Sequence, residues 1–360
     1  MNSDTLITLG WNSFFAHQIE PEEYRALTFA RVSEEHKNSY RVLGEHGELH
    51  AELSGRIRHE VERGAERPAV GDWVGLTVRL DERRATVQRC LSRMTAFRRK
   101  EAGDTSREQI VAANVDTAFI VTSLNRDFNP RRVERYLTMA WESGAEPVVL
   151  LTKADLCDEP EEVVARVSAV AYAVRILIVS AQENRGLDAL SGYLAPGKTC
   201  VLLGSSGVGK STLVNRLAGA EILATRAVGD DDTGRHTTTH RQLVQLPSGA
   251  MIIDTPGMRE LGLTASDAGG EAAVQTFEDI ERLMLGCRFS DCQHQSEPGC
   301  ALKSALSAGS LDAGRYESYL KQKRELAWQH RRVDASAARA QKERWRKIHK
   351  AHRQNPKQRW

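Results

Sequence analysis

Gly204-Ser205-Ser206-Gly207-Val208-Gly209-Lys210-Ser211 follows the apolar run Thr199 to Leu203 and opens the helix-like stretch Lys210 to Leu217. Strand, glycine-rich turn and helix in that order make an anion nest. The glycines let successive backbone N–H groups point inward, and the helix N-terminus adds the positive end of its dipole. Lys210 then reaches the β and γ phosphates of a nucleotide. The Ser211 hydroxyl, with Thr212 beside it, stands where magnesium needs a ligand.

Working outward, apolar strand-like runs at Thr117 to Ser123, Pro147 to Leu151, Ile176 to Val179, Thr199 to Leu203 and Met251 to Ile253 alternate with helical stretches. The helical stretches lie around Arg131 to Trp141, Glu161 to Ala173 and Lys210 to Leu217. That alternation predicts a mostly parallel, doubly wound α/β sheet. Upstream, short alternating segments at Tyr40 to Leu43, Leu49 to Leu53, Asp72 to Leu76 and Ala85 to Val87, broken by Gly and Pro, predict a small antiparallel barrel. An oligonucleotide/oligosaccharide-binding (OB) barrel fits the length, and a generic small β domain fits the pattern nearly as well. Residues 1 to about 35 carry Trp11, Phe14 and Phe15 without clear periodicity and read as an extension that packs on something larger.

Downstream of the loop, Ile252-Ile253-Asp254-Thr255-Pro256-Gly257 sets an acidic residue at the end of a strand, where it can hold magnesium through water while the Gly257 N–H meets the γ phosphate. Between the two lies Gly234-Arg235-His236-Thr237-Thr238-Thr239-His240, from which Thr238 is chosen over Thr237 and Thr239 as a further magnesium ligand. Base identity is assigned upstream. In Thr152-Lys153-Ala154-Asp155, the Asp155 carboxylate can accept the N1–H and exocyclic N2–H₂ of guanine while the Lys153 stem covers the ring; adenine offers no such pair. Ser180-Ala181, at the end of the next strand, can offer a backbone N–H to the guanine carbonyl. The motif order is therefore rotated relative to the usual one in GTPases, as a circular permutation would produce. Thr152 stands where asparagine is commoner, which predicts a weaker link between the base-reading loop and the phosphate loop. Met258 stands where many GTPases carry a water-orienting glutamine.

Cys287, Cys292, His294 and Cys300 fall within fourteen residues, a donor set suited to one structural zinc ion. Cys90, Cys157 and Cys200 are scattered and read as reduced thiols. The composition, 41% hydrophobic and 27% charged, is ordinary for a globular chain, and the longest apolar runs stop far short of the roughly 20 residues of a membrane span. With no basic leader and apolar core at the N-terminus, a cytoplasmic protein without membrane contact is expected. The net charge of +2 hides an asymmetry. In the last forty residues Lys and Arg outnumber Asp and Glu by roughly eleven, so the rest is acidic and the tail reads as a basic helix able to neutralise RNA phosphates.

Together, the rotated motif order, the Gly-Arg-His-Thr-Thr-Thr segment and the Cys287 to Cys300 pattern with Glu297-Pro298-Gly299 resemble the RsgA (YjeQ/YloQ) family of permuted GTPases over nearly the whole chain. The resemblance implies an extension (1–35), an OB-fold domain (36–100), a circularly permuted GTPase domain (101–272), a helical zinc-binding domain (273–335) and a basic tail (336–360). It also implies a monomer that binds GTP or GDP with magnesium, contacts the small ribosomal subunit and its rRNA late in that subunit's maturation, and hydrolyses GTP faster on it. The matching position nominates His236 to orient the attacking water. Two other classes fit parts of the sequence: a nucleotide-gated RNA-binding scaffold, and a phosphate-loop kinase or ATPase, which would make no use of Lys153 and Asp155.

Overall fold

A computed structural model describes residues 4–37, 39–100, 108–124, 128–223, 241–254 and 267–333. The chain divides into two compact units, residues 1–99 with 109–262, and residues 100–108 with 263–360.

The first unit begins with three short helices, α1 (Asp4–Thr8), α2 (Ser13–Ala16) and α3 (Pro21–Ala26). Asn12 caps α2 by accepting the Phe14 N–H at 2.9 Å, and Pro21 opens α3 with its φ already set for a helix. A barrel follows: β1 (Thr28–Glu35), β2 (Tyr40–Gly44), β3 (Gly47–Leu53), the helix α4 (Gly55–Glu62), β4 (Trp73–Arg79) and β5 (Arg84–Cys90). The strands run in the order β1-β2-β3-β5-β4, and β4 returns to pair with β1, so the barrel closes and leaves no edge. Strands β3 and β5 are parallel; the other neighbours are antiparallel. Val32, Val42, Leu49, Val74, Leu76 and Val87 fill it, drawn from the alternate positions that a period of two sends inward.

The expected extension of residues 1–35 therefore needs correction, because its last eight residues are the first barrel strand. The pattern of β1 hides this, since five consecutive residues from Phe29 to Ser33 are buried. Ala30 and Val32 enter the barrel, while Arg31 is buried among the N-terminal helices and the sheet. Its guanidinium donates to the carbonyls of Leu9 (2.6 Å), Gly71 (3.1 Å) and Asn114 (3.0 Å), from three stretches of chain distant in sequence. Burial lowers the Arg31 pKa to about 10, so it keeps its charge at neutral pH. Trp11 packs edge-on to Trp73 at 4.7 Å over the same site.

From the basic connector, β6 (Ala96–Lys100) pairs with β7 (Glu108–Ala113) in a two-stranded sheet. The α/β layer then takes the chain through β8 (Thr117–Ser123), α5 (Pro130–Ser143), β9 (Glu146–Thr152), α6 (Pro160–Ser168), β10 (Arg175–Ile178), β11 (Thr199–Leu203), α7 (Lys210–Ala218), β12 (Gln242–Gln245) and β13 (Met251–Asp254). Strands β10-β9-β8-β11-β13 lie side by side and parallel. All seven residues of β8 and all five of β11 are buried, which is why these strands read as unbroken apolar runs. The short β12, which the sequence reading missed, runs antiparallel to β13 and pairs with β1 at Glu34 opposite Gln242. Barrel and α/β layer thus share one 11-stranded sheet.

The second unit contains α8 (Asp267–Thr276), α9 (Glu278–Leu285), α10 (Ala301–Ser307) and α11 (Ala313–Val333). Helix α8 starts ahead of residue 273, the expected start of this domain. Phe277, Ile280, Leu302, Leu311 and Tyr319 form its core. Arg315 braces it, donating to Asp279 through Nε (2.8 Å) and Nη2 (2.6 Å) and to the Thr276 carbonyl (3.0 Å).

Candidate functional site

Parallel strands all end on the same edge of the α/β layer, the edge where open sheets of this kind receive ligands. The loop after β11 leaves that edge between β8 and β13. Gly204 passes so close to β8 that a Cβ there would stand 2.4 Å from the Val121 carbonyl oxygen. Gly209, with φ +93°, turns the chain into α7 through the left-handed region. Between them lie Ser205, Ser206, Gly207 and Val208, the last buried in the core. Lys210 Nζ donates to the carbonyls of Gly204 (2.8 Å) and Ser205 (2.6 Å), so its charge lies across the mouth of the nest. Ser211 and Thr212 follow in the first turn of α7.

The segments expected to read the base follow β9 and β10, and Thr152 joins the first of them to this loop. Thr152 is buried, and its hydroxyl lies 2.6 Å from the Val208 carbonyl and 3.3 Å from that of Thr122. The threonine makes a link to the phosphate loop, with one short hydrogen bond. Lys153 sits in the left-handed region at φ 57°, turning the chain into the short 3₁₀ segment Ala154–Leu156 that carries Asp155. Ser180 Oγ donates to Asp155 Oδ1 at 2.5 Å and accepts the Glu183 N–H at 3.1 Å. One buried hydroxyl therefore fixes the Asp155 carboxylate to the Ser180-Ala181 loop.

Three side chains that no motif announced also belong here. Arg132, in the first turn of α5, donates to Ser205 Oγ at 2.7 Å. Arg216, in the last turn of α7, donates to the carbonyls of Ala181 (2.9 Å) and Gln182 (3.2 Å). Its neighbour Asn215 caps the chain beyond α7, accepting the N–H groups of Ile222 and Leu223 and donating to the Leu223 carbonyl. A lone arginine or asparagine on a helix has no signature in sequence; only the fold shows what it reaches.

Asp254 ends β13 beside the phosphate-loop strand, where the sequence reading put it. His236, Thr237, Thr238, Thr239, Gly257 and Met258, together with the tail from residue 334, lie outside the described residues. Arg241, next to the segment that holds His236, pairs with Glu35 of β1 at 3.0 Å, both side chains largely buried. Burial raises the Glu35 pKa and Arg241 opposes that rise.

In the second unit the donor atoms of Cys287, Cys292, His294 and Cys300 all lie within 4.8 Å of one another. His294 Nδ1 is 3.6 Å from Cys287 Sγ and 3.5 Å from Cys300 Sγ, and the two sulfurs are 4.0 Å apart. These three separations lie close to the edges of a tetrahedron, roughly 3.5 to 3.8 Å, when N and S ligands stand about 2.0 and 2.3 Å from one ion. The donor set therefore fits a four-coordinate metal. Around it, Glu297 accepts the N–H groups of Gln293, Gln295 and Ser296, and backbone donation of this kind lowers its pKa. All six cysteines are free of disulfides. Among the described residues no helix is long and apolar enough to cross a membrane.

Comparison with known proteins places this geometry in context. Residues 90–264 match the family described as RsgA GTPase. A small ribosomal subunit biogenesis GTPase RsgA from Opitutus terrae is 45% identical over 358 residues, covering 97% of each chain. One of the same name from Syntrophotalea carbinolica is 44% identical, covering 95% of this chain and 98% of the relative. Among solved structures, YjeQ from Thermotoga maritima aligns with TM-score 0.60 and 28% identity over 83% of this chain and 98% of its own. YloQ, described as a circularly permuted GTPase, aligns with TM-score 0.57 over 86% of this chain and 98% of its own; at 22% identity it speaks for the fold alone.

Proposed function

The chain belongs to the RsgA GTPase family, and on that premise we propose that it hydrolyses GTP to GDP and phosphate while bound to the small ribosomal subunit, late in the subunit's maturation, and that the subunit accelerates the reaction. The observation that carries the reading is the convergence of Thr152, Asp155 and Ser180 on a complete phosphate loop, in a chain whose relatives are named for small-subunit biogenesis.

In this reading the loop N–H groups from Gly204 to Gly209 and the Lys210 ammonium hold the β and γ phosphates. Asp155, Lys153 and the Ala181 N–H hold the guanine. Ser211, Thr238 and Asp254 are the residues to hold magnesium, which neutralises phosphate charge when bound. The Gly257 N–H contacts the γ phosphate. Since Met258 cannot orient water, His236 takes that task through its imidazole. The metal at Cys287, Cys292, His294 and Cys300 is zinc, whose closed N/S shell gives it a structural role and no catalytic one. The barrel is of the OB type: a closed five-strand order with a helix between the third and fourth strands supports it. With the helical zinc-binding region and the basic tail, the barrel would meet rRNA. The protein would work in the cytoplasm as a monomer.

Turnover assays with and without purified small subunits test the reading. Subunits should raise turnover by an order of magnitude or more, and His236→Ala should cost about 10²-fold of the stimulated rate while GTP affinity stays unchanged. Turnover indifferent to subunits would contradict the ribosomal assignment, and a fully active His236→Ala variant would contradict the role of the histidine.

A further inference from the structure

The helix that carries the phosphate loop at its N-terminus holds the base-reading loop at its C-terminus. Helix α7 runs only from Lys210 to Ala218, about 14 Å. Leu213, Val214 and Ala218 bury one face of it in the α/β core, so it is a fixed element. At its far end Arg216 reaches across to a loop more than thirty residues away in sequence, and its guanidinium donates through Nε to the Ala181 carbonyl and through Nη2 to the Gln182 carbonyl.

Ser180 forms a narrow bridge with Arg185, its hydroxyl takes the Glu183 N–H, and Asn184 turns the chain at φ 57°. These contacts anchor Ser180, which is fully buried. Through the Ser180 carbonyl, which accepts the Arg185 N–H at 3.0 Å, they also hold the peptide plane that carries the Ala181 N–H, and Arg216 holds the next plane at the Ala181 carbonyl. A planar fork of N–H donors can hold two successive carbonyls at once, which one lysine ammonium at the same point cannot do with the same fixed geometry. A cation in the last turn of a helix is also favoured by the helix dipole.

We propose that Arg216 is a positioning residue for base recognition: it fixes Ala181 from its carbonyl side, as the Ser180–Arg185 bridge fixes it from the other, so that the Ala181 N–H stays in register with the guanine carbonyl and the base-reading loop keeps its distance from the phosphate loop. This rests on the reading that Ala181 meets that carbonyl. Arg216 touches neither base nor phosphate; it acts through the loop.

The test compares equilibrium binding of GDP, 6-thio-GDP and ADP to the full chain. Sulfur is a weak acceptor, so 6-thio-GDP reports on the hydrogen bond to the guanine carbonyl and leaves the phosphate and N1–H contacts in place. The wild-type protein should bind GDP more tightly than 6-thio-GDP. In Arg216→Ala, GDP affinity should fall about five- to tenfold and 6-thio-GDP affinity much less, so that their ratio moves toward one. Arg216→Lys, which retains the charge, should fall between the two and guards against misfolding of the alanine variant. Equal losses for both nucleotides, or no loss for either, would overturn the role assigned to Arg216. A wild-type protein that ranks GDP with 6-thio-GDP but above ADP would instead remove the Ala181 contact, and the proposal with it.

Discussion

The Thr152 hydroxyl lies 2.6 Å from the carbonyl oxygen of Val208, joining β9 to the glycine-rich loop between β11 and α7. On the proposed function, base and phosphate recognition are tied through that one buried hydrogen bond. Thr152→Val keeps the shape and leaves the Val208 carbonyl without that donor. GDP affinity should fall about fivefold, the equivalent of a hydrogen bond worth about 1 kcal/mol. Thr152→Asn, with two donors to offer, should match or exceed the wild type. Fluorescent GDP titrations decide between these outcomes; an unchanged Thr152→Val would mean that the bond does not shape the nucleotide site.

Arg31 offers a second test, one of stability. Its buried guanidinium holds carbonyls of the N-terminal helices, of the turn before β4 and of the segment before β8. Arg31→Met fills similar volume and leaves the Leu9 and Asn114 carbonyls without this donor, while the Gly71 carbonyl keeps the Asn114 side-chain amide at 3.1 Å. The expected cost is about 3 kcal/mol in denaturant unfolding, accompanied by a change in Trp11 fluorescence. Arg31→Lys, able to serve fewer of those carbonyls, should recover only part of it.

Glu23 and Arg89 make a pH-sensitive tie between α3 and β5. The hydrogen bond from Arg89, with the backbone N–H of Glu20 adding to it, lowers the Glu23 pKa below 4.5 in the folded chain. A carboxyl depressed on folding contributes stability that is fully present above its unfolded value and is lost as pH falls through the folded one. Part of the acid destabilisation below about pH 4.5 should therefore disappear in Glu23→Gln, by no more than about 1 kcal/mol because the pair is partly solvated. Identical acid profiles for the two proteins would rule the contribution out.

The metal cluster predicts a local response to chelation. Metal binding energy is folding energy for a small site of this kind. One equivalent of zinc should copurify, and removing it with a chelator, or substituting Cys300→Ser, should lower helical content and expose residues 287–300 to proteolysis. GDP affinity should stay unchanged, since the nucleotide site is built within the other compact unit. Full helicity without metal would show that the apolar core around Phe277 and Tyr319 suffices.

Legibility of the sequence followed the physics of each element. The strands β8 and β11 were readable to the residue because parallel strands buried on both faces leave unbroken apolar runs, and the turn from β11 into α7 was readable because its glycines stand at places a nest requires. Strand β1 was missed because Arg31 and Ser33 are buried on the face away from the barrel, so alternation of polarity did not track burial. Strand β12 is four residues long, too short for a periodic signal. The four metal donors were readable because their spacing is local. Arg132 and Arg216 were not, since their partners, Ser205 and the carbonyls of Ala181 and Gln182, are 73 and 34 to 35 residues away.

The central claim is that Asp155, placed upstream of the phosphate loop by the permutation, reads the guanine base. Exchanging its carboxylate for an amide tests that directly, because the side chain in Asp155→Asn would offer an N–H donor where guanine needs an acceptor and xanthine supplies a carbonyl. Equilibrium binding of GDP and XDP should show the wild type preferring GDP and Asp155→Asn preferring XDP, with the phosphate contacts common to both. A variant that still prefers GDP as strongly as the wild type would contradict the account.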